Sequence, residues 1–152
     1  MGRIQEEIKQ RQPFASVEAE AFLALQRTAD QLQGRVAEFL KASGLSPTQY
    51  NALRILRGAA AEGLPCSEIG ERMIHRDPDV TRLLDRLERR GLVTRGRSPQ
   101  DRRVIVAKIT RAGLGSLARL DRPVEQFLRR LLGPLGEPRL RELVRSLDEL
   151  RT

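Results

Sequence analysis

Apolar positions recur along this chain with two different periods, and the changes of period mark its elements. Between residues 17 and 42, Phe22, Leu25, Ala29, Leu32, Val36 and Phe39 return every three or four positions, which predicts a long amphipathic helix. Gly44 supplies its stop. Ser46 and Gln49 then stand at the two ends of a capping box, with Pro47 at the first helical position and Leu45 and Tyr50 at staple positions. Tyr50, Leu53, Ile55 and Leu56 mark the inner face of this second helix, closed by the stretch from Gly58 to Gly63. Residues 66–74 predict a short helix with Ile69 and Met73 inward. Asp77 is placed to cap, and Pro78 to open, a further helix on which Val80, Leu83, Leu84 and Leu87 fit the i, i+3, i+4, i+7 template. Gly91 ends it.

After Gly91 the period drops from 3.6 to 2. Residues 92–95 and 104–109 read as two strands, joined by the turn-forming, basic stretch 96–103 (GRSPQDRR). Thr110 is placed to cap a helix reaching about Leu132, with Leu114, Leu117, Val124, Phe127, Leu128 and Leu131 inward and Pro123 expected to kink or interrupt it. The segment 133–138 (GPLGEP) breaks the chain, and Leu140, Leu143, Val144, Leu147 and Leu150 mark a last helix. Two short helices, a tight connection and a hairpin predict a mostly α fold with a small β-hairpin wing, a winged helix-turn-helix. The expected organisation is one domain over 1–152, with a DNA-binding lobe at 45–109, flanking dimerisation helices at 17–44 and 110–152, and an N-terminal extension at 1–16. The flanking stripes need cover, and a second copy of the chain is the preferred source, because paired recognition helices suit palindromic double-stranded DNA.

Charge sharpens that picture. Of the net charge of +8, residues 72–111 hold +7, from twelve basic and five acidic side chains. A bias toward arginine across the whole chain would not concentrate it in one segment, whereas a polyanion binder would. Composition argues against catalysis: with one Cys, one His and no Trp, no nucleophile–base or metal constellation is visible, so neither an enzymatic activity nor a cofactor is expected. No run approaches the roughly 20 apolar residues of a membrane span, and the first residues lack the apolar core of a secretory signal. A cytoplasmic protein is expected, with no membrane partner.

The face opposite the leucine stripe carries Pro78, Thr81, Arg82, Asp85, Arg86 and Arg89. Thr81 and Arg82, near the helix start, are the candidates for base contacts, since arginine bonds guanine bidentately and a threonine methyl touches thymine. Asp79 is read as a cap before a base contact, and Asp85 as an intrahelical ion-pair partner of Arg82 or Arg89. Pro78, Asp79, Thr81, Arg82 and Arg86 form the candidate major-groove set; Arg95, Arg97, Asp101, Arg102 and Arg103 form the candidate wing set. Narrow minor grooves attract arginine, and Asp101 is spaced to orient the Arg103 guanidinium.

The order DVTRLLDRLERRGLVTR, then SPQDRRVIVAKITRAG, resembles the core of the MarR family of transcription regulators, and LSPTQYNALRIL is similar to the family's second helix. The resemblance covers roughly residues 45–113. It implies a homodimer interlocked through the family's first, fifth and sixth helices, a recognition helix in the major groove and a wing in the minor groove. It also implies regulation, commonly repression relieved by a small-molecule effector or an oxidant. Pro65-Cys66 departs from the polar capping residues of many members, and Val104 stands where glycine is frequent. Family peroxide sensors carry a reactive Cys in the first helix; residues 17–42 hold none. Cys66 opens a short helix, where a thiol pKa can be lowered, and is the candidate redox residue, with an inert thiol as the preferred reading. His75 lacks a Cys or His neighbour and is a poor metal ligand. A protein-interaction module, its basic face serving an acidic partner, is the alternative to a DNA reader.

Overall fold

The computed structural model describes residues 2–59, 61–76 and 79–152. The Asp77 cap, the Pro78 helix start and the Pro78 DNA contact expected from the sequence lie outside the described residues. The chain forms two compact units, residues 1–51 and 52–152.

In the first unit, a five-residue helix α1 (Arg3–Glu7) precedes the long helix α2 (Val17–Leu40). Nothing in the hydrophobic period announced α1, which is too short to show one. Ile4 and Gln5 are buried, and the Gln5 amide donates to the carbonyls of Gln10 and Gln12 at 3.4 and 3.2 Å, so the polar group is satisfied where it is covered. Ser16 caps α2 by accepting from the Ala19 amide at 3.1 Å. A short 3-10 turn (Lys41–Ser43) extends it before Gly44, whose φ of 71° takes the left-handed stop that a side chain would resist. The capping box closes as expected: the Gln49 amide donates to Ser46 Oγ at 3.1 Å, and Gln49 Oε1 accepts from the Ser46 amide at 3.0 Å. It opens α3 (Pro47–Arg57), whose second half belongs to the second unit.

The second unit builds its core from Leu53 and Leu56 of α3, Ile69 of α4 (Cys66–Arg72), Leu84 and Leu87 of α5 (Val80–Arg89), and Leu117 of α6 (Arg111–Leu132). The sheet adds Val93 of β2 (Val93–Arg97) and Ala107 of β3 (Ile105–Ile109). The expected hairpin gains a third strand, β1 (Leu64–Pro65), giving the antiparallel order β1-β3-β2. Two residues are too few for alternation to show, so β1 is a product of its pairing, Leu64 with Ala107 and Pro65 with Val106.

The join between sheet and α6 is tied by Thr110, which accepts from the Gly113 amide at 3.1 Å and donates to the Gly91 carbonyl at 2.6 Å. Its own amide donates to the Leu92 carbonyl at 3.0 Å. Gly113 sits so close to this knot that a Cβ there would collide with the Leu92 carbonyl oxygen and lie 2.7 Å from Ile109 Cγ1. Helix α6 runs on through Pro123 without the expected break. Proline removes the backbone donor that would meet the Arg119 carbonyl, and the helix continues across the missing bond to Leu132.

After a second 3-10 turn (Gly133–Leu135) comes α7 (Glu137–Glu149). The outer stripes differ from the expected inward packing. Leu114 and Leu128 of α6, and Leu143 and Val144 of α7, stay exposed at 43, 41, 42 and 56%. On α2, Phe22 is 61% exposed. Among the described residues no helix is long and apolar enough to cross a membrane.

Replacing Gly113 with alanine is expected to destabilise the fold by about 1–3 kcal/mol through overpacking. Gly115→Ala, where the nearest atom to a new Cβ is Arg119 Nη1 at 3.8 Å, should be neutral or slightly stabilising. Thermal unfolding of both variants beside the wild type checks the contrast.

Candidate nucleic-acid interface

Burial of Leu83, Leu84 and Leu87 fixes the rotation of α5 and turns its polar face outward. Asp79 is the N-cap, its carboxylate accepting from the Arg82 amide at 3.0 Å. The same carboxylate lies 3.4 Å from Arg82 Nε. Arg82 is therefore held at the exposed start of the helix by Asp79, not by Asp85. Thr81, Arg82 and Arg86 all stand exposed on this helix. Asp85 faces two guanidinium groups, Arg89 at 3.0 Å and Arg95 at 3.2 Å.

Arg95 was grouped with the wing by sequence, yet its side chain is 19% exposed. It lies on the face of β2 that carries Val93, because side chains two apart on a strand share a face. From there it meets Glu88, with Nη2 at 3.0 Å and Nε at 3.3 Å from Oε1. The Arg95 amide also donates to Glu88 Oε2 at 2.8 Å. Because β2 is an edge strand, that amide has no neighbouring strand to donate to, and the helix carboxylate takes the place of one. The hydrogen bond from Arg95 holds the Glu88 carboxyl below the usual carboxylate range and pushes the Arg95 pKa further up. Sequence reasoning passed over Glu88. The only signal was an acidic residue on the helix a few positions before a strand arginine, which also occurs on solvated helices.

At the wing tip, Asp101 accepts from the Arg103 amide at 3.0 Å and from its Nε at 3.2 Å, and Nη2 stands 3.3 Å from the second oxygen. Arg103 lowers the Asp101 pKa through the side-chain hydrogen bond first and the backbone bond second. The pair leaves Arg103 91% exposed with its guanidinium oriented. Arg97 Nη1 donates to the Arg102 carbonyl at 2.6 Å, drawing the two arms of the hairpin together below the tip. Arg102 is exposed. The structure thus collects two arginine-bearing elements, α5 and the wing tip, with Arg95 between them.

Cys66 is half-buried at the first position of α4, and burial pushes its thiol pKa up, against a smaller opposing effect of Arg95. That direction is opposite to the one a reactive thiolate requires. His75 is exposed, and among the described residues no group of three or more His, Cys, Asp or Glu side chains is placed to hold a metal ion.

A helix pair, an outward-facing polar helix and a three-stranded sheet with a basic tip define a winged helix-turn-helix protein. Residues 43–104 match the MarR family model. The chain is 43% identical to a MarR transcription factor from Planctomyces limnophilus, whose crystal structure it matches with a TM-score of 0.69 over 90% of this chain and 98% of that one. The Bacillus subtilis HTH-type transcriptional regulator MhqR is 31% identical over 96 residues, 63% of this chain and 65% of MhqR. Such alignments span just under two thirds of the curated relatives' own length. The structure of Staphylococcus aureus MepR in complex with DNA shares the fold, with a TM-score of 0.75 at 20% identity over 84% of this chain and 93% of that one. The chain belongs to the MarR family. That family is one of transcription regulators.

A carboxyl whose pKa is lower in the folded than in the unfolded chain contributes stability above the ordinary carboxylate range, and that contribution disappears as pH falls through the folded value. Glu88→Gln is therefore expected to melt below the wild type at pH 6, with the gap closing as the pH falls below about 4. Thermal scans across that window check it; a gap of constant size would mean that the Glu88 charge is not its source.

Proposed function

We propose that this regulator binds palindromic DNA sequence-specifically as a homodimer, acting as a repressor that a small ligand or another signal releases. Residues 45–109 read the DNA, with Thr81 and Arg82 at base edges in the major groove and Arg103 in the minor groove. The observation that carries this reading is the oriented Asp101–Arg103 pair, at the tip of the wing and within the segment 72–111 that holds +7 of the net charge of +8. An adjacent carboxylate costs an arginine part of its attraction for phosphate, and what it gains is a fixed direction for the guanidinium. The helices at 17–44 and 110–152 supply the dimer. Exposed Phe22, Leu114, Leu128, Leu143 and Val144 support that role, since apolar stripes of this extent are covered in a stable protein.

Titration of the protein with DNA selected from a random pool, and with scrambled DNA, tests the reading at several salt concentrations. A specific reader shows a steep negative salt slope and a specificity ratio of about 10³ or more. Equal binding of scrambled DNA at physiological salt sinks it. Arg82→Ala is expected to cost about 1–3 kcal/mol at one base position, whereas Arg103→Ala should weaken binding most at sites with A·T-rich flanks.

Sedimentation of the free protein is expected to give twice the chain mass of 17.2 kDa. Introducing a charge with Val144→Glu, at a position already 56% exposed in the single chain, should yield a folded monomer. A monomeric wild type at micromolar concentration would remove the dimer from the mechanism.

A further inference from the structure

The basic side chains of the lobe differ sharply in where they point. Arg82, Arg89 and Arg103 are 70, 77 and 91% exposed, whereas Arg95 is 19% exposed and turned toward α5. Its acceptors lie at three levels of that helix: the Thr81 carbonyl at 3.5 Å from Nη1, Asp85 at 3.2 Å from Nη2, and Glu88 at 3.0 Å from Nη2. Positions 81, 85 and 88 share one face and span two helical turns, about 10 Å along the axis. The uppermost, Thr81, adjoins Arg82. On the other side, Arg95 stands two residues before Arg97 in β2, the strand that leads into the wing tip.

Burial of the leucine stripe fixes the rotation of α5, but apolar packing is non-directional and resists sliding along the helix axis weakly. A planar guanidinium bonded to three positions along the helix resists that sliding. We propose that Arg95 is a positioning residue, not a DNA contact: it sets the axial height of the recognition helix against the wing, so that the Arg82 and Arg103 contacts form together. This rests on the DNA-binding reading above and assigns Arg95 a role inside the protein instead of at the phosphates. Lysine keeps the charge but places all of its donors on one nitrogen, so it cannot reproduce contacts made from Nε, Nη1 and Nη2.

The test uses the full chain and DNA selected by the wild type, with Arg95→Lys, Arg95→Met and Glu88→Gln variants whose folding is checked by circular dichroism. In the wild-type background, losses from Arg82→Ala and Arg103→Ala are expected to be non-additive by on the order of 5-fold, and in the Arg95→Met background additive. Arg95→Lys should lower the specificity ratio roughly tenfold. The salt slope on scrambled DNA should stay unchanged in Arg95→Met, because a positioning residue releases no counterion. If Arg95→Met fails to fold, Glu88→Gln, which leaves the arginine without its main partner, carries the same additivity measurement. A salt slope reduced by about one would identify Arg95 as a phosphate contact and overturn the proposal. So would Arg82–Arg103 coupling or a specificity ratio that survives the Arg95 changes. A wild type without sequence preference would instead remove the underlying DNA-reading assignment, and the positioning role with it.

Discussion

The leucine stripe of α5 is the constraint on which the rest of this lobe depends. Leu84 and Leu87 are fully buried and Leu83 nearly so, and a ten-residue helix with three leucines in the core has one available rotation. Each such side chain contributes about 1.5–3 kcal/mol when removed from water, well above what any surface ion pair in the lobe supplies. Rotation about the helix axis therefore sets which residues face out. Thr81, Arg82 and Arg86 are exposed because Leu83, Leu84 and Leu87 are not.

Electrostatics refines what burial establishes. Asp79 satisfies a helix amide and holds Arg82, Asp101 orients Arg103, and Glu88 and Asp85 share Arg95. In this lobe carboxylates act as orienting partners for guanidinium groups, the role of four of the five acidic residues in the most basic segment of the chain, Asp79, Asp85, Glu88 and Asp101. Charge attracts a polyanion at long range, whereas these pairs give individual arginines a direction at short range. The Thr110–Gly91 and Gly113–Leu92 contacts do similar work for the backbone, fixing the exit of α6 from the sheet.

Much was legible before any coordinates, wherever a local rule had a strong signature. The Ser46–Gln49 capping box, the Gly44 stop, the Thr110 cap and the α5 stripe each depend on neighbours within a few residues, so their chemistry is written in order along the chain. The Asp101–Arg103 pair was legible for the same reason, as two residues in one tight turn. What escaped notice was short or non-local. Helix α1 and strand β1 are below the length at which a period can be counted. Pro123 interrupts no helix, since α6 runs from Arg111 to Leu132 across it, and a local rule does not include what the rest of the helix contributes.

Sequence alone determined the class of this protein: a leucine-striped helix, a period change at Gly91, a basic turn and the MarR-like order of those parts. Only the tertiary structure decided what each charged residue does within that class. Arg95 and Arg103 look alike in a list of basic residues near a wing. Strand alternation and the approach of α5 turn the first inward onto Glu88 and Asp85, and leave the second outward beside Asp101. The physical reason is that a side chain's role depends on the partners within a few ångströms of it, and those partners are set by packing between elements, which no single stretch of sequence contains.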